Sequence, residues 1–426
     1  MTLAEQARSI LEQALEAYRD TPRAANWLHR HLVRFDEPLR LAVVGPASSG
    51  KSTLVNALVG EQIAPDGAEG PSWYRARLSR SQGEVTLIDT PGLEENASPQ
   101  AVQAAVTDAD AVLFLARQPR NANLRELRFV HGHPIAMVHP VNSLVVLSRA
   151  DELGAGRVDA LISARQLARR YRRDPEVRDV CQDVVAVAGQ VASAGRTLTE
   201  PEFAALSALA GLPRPESEAL LLSADRFVRA ESGPVEASAR AGLLRRFGLF
   251  GLRLATTLLR RESGTVAALA AQLVQRSGLA ELRDAIGQHF TERAEVLKAR
   301  SALIGLEVLL RREPHPGGEA LFLELDRVLA GAHEFRELRL LAALRTDGSA
   351  LPEPLREDAS RLLGGHGTAA LARLGIESEL DYHRAARDAV RRWRELTGNP
   401  VLSAEGRQAA AVVLRSCEAM AAPVAN

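Results

Sequence analysis

The stretch GPASSGKST occupies residues 45–53 and matches the pattern G-x-x-x-x-G-K-[ST]. The preceding run, LRLAVVG, is short and apolar and predicts a buried strand, whereas the apolar residues of KSTLVNALVG have the spacing of a helix. When strand, glycine loop and helix follow in this order, main-chain N–H groups at the helix N-terminus hold a phosphate. The stretch therefore predicts an α/β fold with a phosphate-binding loop, here called the P-loop (residues 45–52).

The P-loop sequence assigns individual roles to its residues. Lys51 is expected to bridge the β- and γ-phosphates, and Ser52 to offer its hydroxyl to Mg²⁺. Lys51 is one of two lysines in a chain that otherwise uses arginine, because a planar guanidinium cannot occupy this compact position. The residues expected to contact the nucleotide in this stretch are Gly45, Ser48, Ser49, Gly50, Lys51, Ser52 and Thr53.

A second motif, LIDTPG at residues 87–92, follows the P-loop at about the separation of one helix and one strand. It predicts a strand that delivers Asp89 to the Mg²⁺ shell and a turn in which Gly92 offers its N–H to a γ-phosphate. The P-loop and this motif together predict a nucleotide switch, of which LIDTPG is the second half. Ser52 and Asp89 are the predicted metal ligands.

A third motif, VVLSRAD at residues 145–151, predicts the base pocket. Asp151 is positioned to accept hydrogen bonds from guanine N1 and the exocyclic amino group, whereas an adenine would leave its carboxylate unpaired. Ser148 lies in the same motif, and the aliphatic stem of Arg149 can cover the base. Main-chain groups of Ala188 and Gly189 complete the predicted pocket for GTP or GDP.

The remaining pattern predicts two kinds of structure. The runs VTLID, AVLFLA, SLVVLS and VVAVAG alternate with helical stretches, which is typical of a doubly wound, mostly parallel sheet. Beyond about residue 200 the pattern is helical, and SGLAEL…VLLRR (277–312) is predicted to be one long helix that EPHPGG ends. We expect an N-terminal helix (1–36), a nucleotide-binding domain with helical additions (37–292) and a helical bundle (293–426). The N-terminal helix closes this bundle through a stripe of Leu3, Ala7, Ile10, Ala14 and Tyr18.

Composition narrows the choice of partners and compartment. The 53 basic and 53 acidic residues balance, so no net field favours nucleic acid or an anionic membrane. Cys181 and Cys417 belong to no disulfide or metal spacing, which fits a reducing cytoplasm. No run approaches the roughly eighteen apolar residues of a membrane span, so any membrane contact is expected to be peripheral.

Two further stretches admit two interpretations each. HGHPIAMVHP contains His131, His133 and His139, but it lacks an acidic or Cys ligand and is predicted to be a loop rather than a metal site. RRFGLFGLRLATTLL (245–259) places large apolar residues between arginines, which would suit a membrane interface. Its place beside the nucleotide-binding domain favours core packing instead.

The three nucleotide motifs, together with SRADELGAGRVDALISA, RRFGLFGLRLATTLL and LLGGHGTAALARLGI, resemble the actinobacterial dynamin-like GTPases of the isoniazid-inducible, IniC type. The resemblance covers nearly the whole chain. It implies a GTPase domain between an N-terminal helix and a C-terminal helical bundle, and hydrolysis of GTP to GDP with Mg²⁺. It also implies a cytoplasmic protein at the inner face of the membrane, assembled with itself or with a second dynamin-like subunit.

The sequence departs from this family at two places. Residues 60–84 contain no threonine, although a switch threonine normally binds Mg²⁺ and the attacking water, and Ser72 is the candidate replacement. Ala47 stands where eukaryotic dynamins place a polar residue that orients water, and Ser48 follows it. The candidate catalytic residues are therefore Ser48, Lys51 and Ser72.

These departures leave an alternative open. Phosphoryl transfer depends on positioning and charge stabilisation, so loss of a water-orienting group slows hydrolysis while sparing binding. The chain is thus expected to be a dynamin-like GTPase or a pseudo-GTPase that serves as an assembly or regulatory subunit. An RNA- or ribosome-binding GTPase is disfavoured, because no appended basic module is apparent.

Overall fold

A computed structural model describes residues 2–65, 70–78, 83–93, 106, 108–118, 127, 141–157, 159–230, 233–261, 264–344 and 350–422. These residues form two compact units. The α/β unit contains the described residues of Arg40–Gly132 and Ser143–Gly287. The helical unit contains those of Met1–Leu39, His133–Asn142 and Gln288–Asn426. The predicted histidine loop at 131–140 lies outside the described residues.

A six-stranded sheet forms the centre of the α/β unit, with the strand order β2-β3-β1-β4-β5-β6. The pairs β1–β4, β4–β5 and β5–β6 are parallel, whereas β2–β3 is antiparallel. Every residue of β4 and β5 is buried, as expected for strands covered by helices on both faces. The strands are β1 Leu39–Val44, β2 Ser72–Arg77, β3 Glu84–Asp89, β4 Ala111–Ala116, β5 Ser143–Leu147 and β6 Val184–Ala186.

Strand β2 is the element of the sheet that the apolar runs do not predict. Its sequence, SWYRAR, alternates between exposed and covered residues, and Trp73 retains 44% of its accessible surface. An edge strand has one free side and needs no continuous apolar run. Its antiparallel pairing with β3 makes the sheet mixed, while the predicted mostly parallel arrangement of the other strands is confirmed.

Helices cover this sheet and extend the α/β unit. The helix at Ala237–Arg261 is kinked at Gly248, whose φ of +65° and ψ of 172° are not helical. Phe247 and Phe250 are buried in the core of the unit, so core packing of the 245–259 stretch is confirmed. The other helices of the described residues in this unit are Lys51–Val59, Ala160–Arg173, Pro175–Arg178, Gly189–Arg196, Glu200–Gly211, Arg214–Leu220, Ala224–Arg229, Val266–Gln275 and Leu279–His289, and a 3₁₀ helix spans Ala150–Ala155.

The helical unit joins the chain's N-terminal and C-terminal helices, as predicted. All five residues of the N-terminal stripe are buried, and they share one hydrophobic cluster with Leu303 and Leu306. None of the described helices of the protein is both long and apolar enough to span a bilayer. The helices of this unit are Leu3–Ala17, Pro22–Val33, Ala294–Arg312, Gly318–Gly331, His333–Leu344, Glu353–Leu362, Ala370–Leu374, Tyr382–Thr397 and Ala404–Ala421, with 3₁₀ turns at Thr291–Arg293 and Glu379–Asp381.

The prediction of one long helix over residues 277–312 is wrong. The helix at Leu279–His289 is followed by Phe290, whose φ of −121° and ψ of −57° depart from helical values, and a new helix begins at Ala294. Contacts distant in sequence hold the break, because Arg293 donates to the Gly364 carbonyl at 2.9 Å and Glu292 accepts from the Thr368 N–H at 3.2 Å. The predicted end before EPHPGG is confirmed, since the second helix stops at Arg312.

Candidate nucleotide-binding site

The P-loop joins the end of β1 to the helix at Lys51–Val59 and needs glycine at two positions. A Cβ on Gly45 would collide with the carbonyl oxygen of Leu115, and Gly50 has a φ of +91°. Ser48 has a φ of +58°, a conformation that is uncommon for a residue with a side chain and is concentrated at functional sites. These dihedral angles turn the chain sharply between strand and helix, as the motif predicts.

Lys51 is buried within this loop. Its Nζ donates to the carbonyl oxygens of Gly45 at 3.1 Å and Pro46 at 3.0 Å, and its exposed fraction is 7%. Burial lowers the pKa of the Lys51 ammonium group, and the negative charge of Asp89 opposes that shift. The loop therefore carries a fixed cation close to the carboxylate predicted to bind Mg²⁺.

The predicted switch segment lies directly against the P-loop. Asp89 ends β3 and is buried, and a Cβ on Gly92 would lie 2.7 Å from the Cα of Ala47. Two main-chain hydrogen bonds fasten the contact, from the Ala47 N–H to the Leu93 carbonyl at 3.1 Å and from the Leu93 N–H to the Gly45 carbonyl at 3.0 Å. Only a residue without a side chain permits this approach at position 92.

The donor atoms near Lys51 fit Mg²⁺ held together with a nucleotide. Ser52 offers a hydroxyl at the start of the helix and Asp89 a carboxylate, both of them the hard oxygen ligands that Mg²⁺ prefers. Within the described ranges no group of three or more His, Cys, Asp or Glu residues could hold a metal ion by itself. Mg²⁺ in nucleotide sites is usually bound through one or two protein ligands plus phosphates, so these residues suit that mode.

Ser72, the candidate replacement for the switch threonine, begins β2 and pairs with Asp89 in the antiparallel ladder. Directly opposed residues in such a ladder point to the same face of the sheet, with Cβ atoms about 4.5–5.5 Å apart. The Ser72 hydroxyl is thus on the same face as the carboxylate predicted to bind Mg²⁺. Residues 66–69, which precede this strand, lie outside the described part of the chain.

The base motif follows β5. Asp151 lies in the 3₁₀ helix Ala150–Ala155 and is 6% exposed; burial raises the pKa of its carboxyl group. Arg149 takes a φ of +52°, and its Nη1 pairs with Glu152 Oε1 at 2.6 Å. The Arg149 guanidinium is therefore paired within the motif, and Arg149 borders the pocket described below.

The backbone groups predicted to complete the base pocket differ in their availability. The N–H of Ala188 donates to the Ser277 carbonyl at 2.8 Å, and Ala188 is fully buried. Gly189 begins the helix Gly189–Arg196, and the first N–H groups of a helix have no acceptor within it. Gly189 is thus the better placed of the two for a ligand contact.

A cavity of about 610 Å³ connects the P-loop with the base motif. This volume lies within the range of roughly 300–1,000 Å³ that small-molecule sites occupy. Of the predicted residues, those that line the cavity are Ser49, Gly50, Thr53, Ser148, Arg149, Asp151 and Gly189. The structure therefore brings two motifs that lie about a hundred residues apart in sequence to one cavity.

Two buried hydroxyl groups border this cavity without a protein partner. Ser49 Oγ and Ser148 Oγ are both buried, and neither makes a hydrogen bond to any described residue. Buried polar atoms are nearly always satisfied by protein, water or ligand. Both hydroxyls therefore suit a cavity that takes a polar ligand.

Residues 61–65, here called the strap, are not predicted by any motif, and 62–65 of them also line the cavity. The buried Asn56 side chain holds the strap, since it donates to the Ala64 carbonyl at 2.9 Å and accepts from the N–H groups of Ile63 at 2.9 Å and Ala64 at 2.8 Å. Gln62 donates to Ser193 Oγ at 2.8 Å. The sequence contains one indication of the strap, because Asn56 is a polar residue among the apolar residues of the P-loop helix and therefore needs a hydrogen-bond partner.

The kinked helix supplies the other unpredicted lining. Gln190, Arg245 and Arg246 all border the cavity. The Gln190 amide donates to the Arg245 carbonyl at 2.6 Å, and a Cβ on Gly248 would lie 2.8 Å from Gln190 Oε1 and 3.9 Å from Asp151 Oδ2. The kink therefore lies beside the carboxylate predicted to read guanine.

Known proteins are similar to this chain over part or nearly all of its length. A family model described as a 50S ribosome-binding GTPase matches residues 40–140. The isoniazid-induced protein IniC of Mycobacterium tuberculosis (strain ATCC 25618 / H37Rv) is 35% identical over a 497-residue alignment, gaps included, that covers 99% of this chain and 99% of that protein.

Other proteins match only part of the chain, or match most of it at low sequence identity. The GTPase Der of Burkholderia cenocepacia (strain HI2424) is 28% identical over 54% of this chain and 52% of its own length. The LeoA bacterial dynamin GTPase from ETEC aligns over 98% of this chain and 68% of its own at 13% identity, with a TM-score of 0.28. The 35% identity to IniC, by contrast, spans 99% of both sequences, so this chain belongs to the family of the isoniazid-induced protein IniC.

Proposed function

We propose that the protein is a dynamin-like GTPase that binds GTP and GDP with Mg²⁺ in the 610 Å³ cavity. The observation that carries the proposal is the lining of one cavity by both the P-loop and the buried carboxylate of Asp151. The P-loop supplies main-chain N–H groups and the Lys51 ammonium for the phosphates, and Asp151 supplies the acceptor for the base.

Ser52 and Asp89 would hold the Mg²⁺ ion, which neutralises phosphate charge when it is bound. Lys51 orients the phosphates, because its ammonium group is fixed by two loop carbonyls. Ser48 and Ser72 are the proposed water-orienting hydroxyls, and Ser72 shares a sheet face with Asp89. Gly92 offers its N–H to the γ-phosphate from a segment hydrogen-bonded to the P-loop.

Guanine selectivity follows from the desolvated state of Asp151. Guanine presents two donors on its Watson–Crick edge to one carboxylate, whereas adenine presents none at the corresponding N1 position. A buried carboxylate left without donors is costly, so the pocket rejects adenine nucleotides.

A second candidate function keeps nucleotide binding and reduces turnover. The absence of threonine from residues 60–84 favours a pseudo-GTPase that serves as an assembly or regulatory subunit. Single-turnover phosphate release, with and without a second dynamin-like protein, separates the two functions. Brisk hydrolysis by the isolated chain excludes the subunit function.

The family resemblance extends the proposal to assembly on a membrane. We propose that the protein pairs with itself or with a second dynamin-like subunit in the cytoplasm, at the inner face of the cell membrane. Co-sedimentation with liposomes of bacterial lipid, with and without GTP, tests this part. Equal pelleting in the presence and absence of liposomes removes the membrane role.

The nucleotide proposal is tested by exchanging the base contact. In Asp151→Asn the carboxylate becomes an amide, which can donate to the C2 carbonyl of xanthine but cannot accept both guanine donors. We expect GDP affinity to fall about tenfold to a hundredfold and XDP affinity to rise. Wild-type GDP affinity in the Asn variant, with no gain for XDP, would mean that the base does not contact Asp151.

A further inference from the structure

Arg245 borders the cavity from the helix at Ala237–Arg261, three residues before the kink at Gly248. Its side chain is exposed, and it lies outside the three nucleotide motifs. Its backbone position is nevertheless fixed. The Arg245 carbonyl accepts a hydrogen bond from the Gln190 side-chain amide at 2.6 Å.

This fixed position is at the base end of the cavity. Gln190 follows Gly189 directly, and a Cβ added at Gly248 would lie 2.8 Å from its Oε1 and 3.9 Å from Asp151 Oδ2, so both side chains lie beside the kink. Arg245 is therefore attached, through Gln190, to the residues that surround the proposed guanine site. The phosphate end of the cavity is lined instead by Ser49, Gly50 and Thr53.

The neighbouring cations are already engaged. Arg149 pairs with Glu152 at 2.6 Å, and Arg246 pairs with Glu202 at 2.6 Å and donates to Thr197 Oγ1 at 3.0 Å. Among the hydrogen bonds and ion pairs of the described residues, none uses the Arg245 guanidinium. It is thus the cavity-lining arginine that can contact a ligand without giving up a protein partner.

We propose that the Arg245 guanidinium packs over the purine ring of the bound nucleotide and increases its affinity. A planar, weakly hydrated guanidinium stacks well on aromatic faces, which an ammonium does less well. The guanidinium contacts the face of the purine ring and not the phosphates. Asp151, by contrast, accepts hydrogen bonds from the edge of the base. This inference rests on the proposed binding of guanine nucleotides in the same cavity.

The test compares nucleotides that share a base and differ in phosphate number. Arg245→Ala, Arg245→Lys and the control Arg261→Ala, at the exposed end of the same helix, are titrated with GDP and GMP in competition with a fluorescent GDP analogue. We expect Arg245→Ala to lower both affinities by the same factor, about three- to thirtyfold. Arg245→Lys should recover only part of the loss, and Arg261→Ala should bind as wild type does.

Three results would overturn the inference. Unchanged affinities in Arg245→Ala would remove the contact, and a larger loss for GDP than for GMP would move it to the phosphates. Full recovery in Arg245→Lys would exclude ring stacking. In each case the wild type still binds GDP, so the proposed function survives, whereas a wild type that does not bind GDP removes both proposals. Melting curves of the variants confirm that each is folded.

Discussion

At the scale of single residues, the two lysines of the chain have similar environments. Lys51 donates to two P-loop carbonyls, and Lys298, in the helical unit, is 7% exposed and donates to the Phe35 carbonyl at 2.9 Å. Both positions require a compact cation directed at main-chain oxygen, which a guanidinium fills less well. The prediction that lysine is retained at position 51 for its geometry is consistent with this second example.

We expect Lys51→Ala to remove nucleotide binding without unfolding the protein. The Gly45 and Pro46 carbonyls keep main-chain donors in the N–H groups of Leu93 at 3.0 Å and Ser49 at 3.2 Å, so truncation leaves neither of them unpaired. GDP affinity should fall on the order of a hundredfold or more, since charge-assisted contacts to the phosphates are lost. Equilibrium binding and a thermal melt on the same preparation measure both effects. A large fall in melting temperature would contradict the structural half of this prediction.

Guanine binding should depend on pH through Asp151. Burial raises the pKa of this carboxyl group, so the folded, nucleotide-free protein holds the proton more tightly than the unfolded chain does. Acidification should therefore weaken GDP binding at a higher pH than an exposed aspartate would cause. Because the pKa is raised, ionisation of Asp151 destabilises the nucleotide-free protein as pH rises. Near neutral pH the Asp151→Asn variant should therefore melt at a higher temperature than the wild type. A pH-independent GDP affinity down to pH 4.5 would contradict this account.

The residues that the sequence predicts are those with fixed spacing in a motif. Lys51 and Asp151 are identified because the chemistry of phosphate and guanine requires particular atoms at particular distances along the chain. The motifs do not identify Asn56, Gln190 or Arg245, because the roles of these residues depend on contacts outside any motif. The Gln190–Arg245 hydrogen bond joins residues 55 positions apart, and no local pattern records it.

At the scale of elements, the contact between the switch segment and the P-loop is close enough to be tested by one methyl group. In Gly92→Ala the new Cβ would meet the Ala47 backbone at 2.7 Å, so the two segments must separate and both hydrogen bonds between them weaken. Because Gly92 is proposed to serve the γ-phosphate, affinity for a non-hydrolysable GTP analogue should fall several-fold more than affinity for GDP.

The matched control is Gly211→Ala, where a Cβ meets no heavy atom within 4 Å. This variant should leave both affinities unchanged. Equal losses for GDP and the GTP analogue in Gly92→Ala would show that the segment supports the P-loop in general and does not sense the third phosphate.

The strap is expected to control nucleotide release. Asn56→Ala removes three hydrogen bonds that hold residues 61–65 at the cavity, so GDP dissociation should accelerate about tenfold or more, and stability should fall by about 1–3 kcal/mol. Asn56→Asp keeps the oxygen that accepts from Ile63 and Ala64, and should be intermediate. Stopped-flow release of a fluorescent GDP measures the rate. An unchanged rate in Asn56→Ala would mean that the strap does not cover the nucleotide.

Element boundaries show where local pattern reaches its limit. The P-loop helix and the buried strands are predicted because their apolar spacing is strong, and glycine marks the ends of β1 and of the P-loop helix. The break at Phe290 is not predicted, because the apolar stripe continues through it and residues after the break are held by contacts to the distant loop at 364–368. Strand β2 is missed for the opposite reason, since its exposed alternate residues leave no apolar run.

At the scale of the whole molecule, each unit has hydrophobic clusters of its own. In the helical unit one cluster joins the first helix to the helix at Ala294–Arg312, and a second surrounds the fully buried Trp393. Trp393 also donates to Asp358 Oδ2 at 2.9 Å, so its polar edge is satisfied inside the unit. The union of the two chain ends is predictable because a one-sided apolar helix must bury its stripe against another. The residue-level packing depends on tertiary contacts that the pattern does not contain.

The cavity beside the P-loop is proposed above all to bind a guanosine polyphosphate. Calorimetric titration of the full chain with GDP and with ADP, each in the presence of Mg²⁺, tests this claim most directly. We expect one GDP site per chain, little or no heat from ADP, and no GDP binding in Lys51→Ala. Absence of GDP binding by the wild type, or ADP binding of equal strength, would contradict the claim.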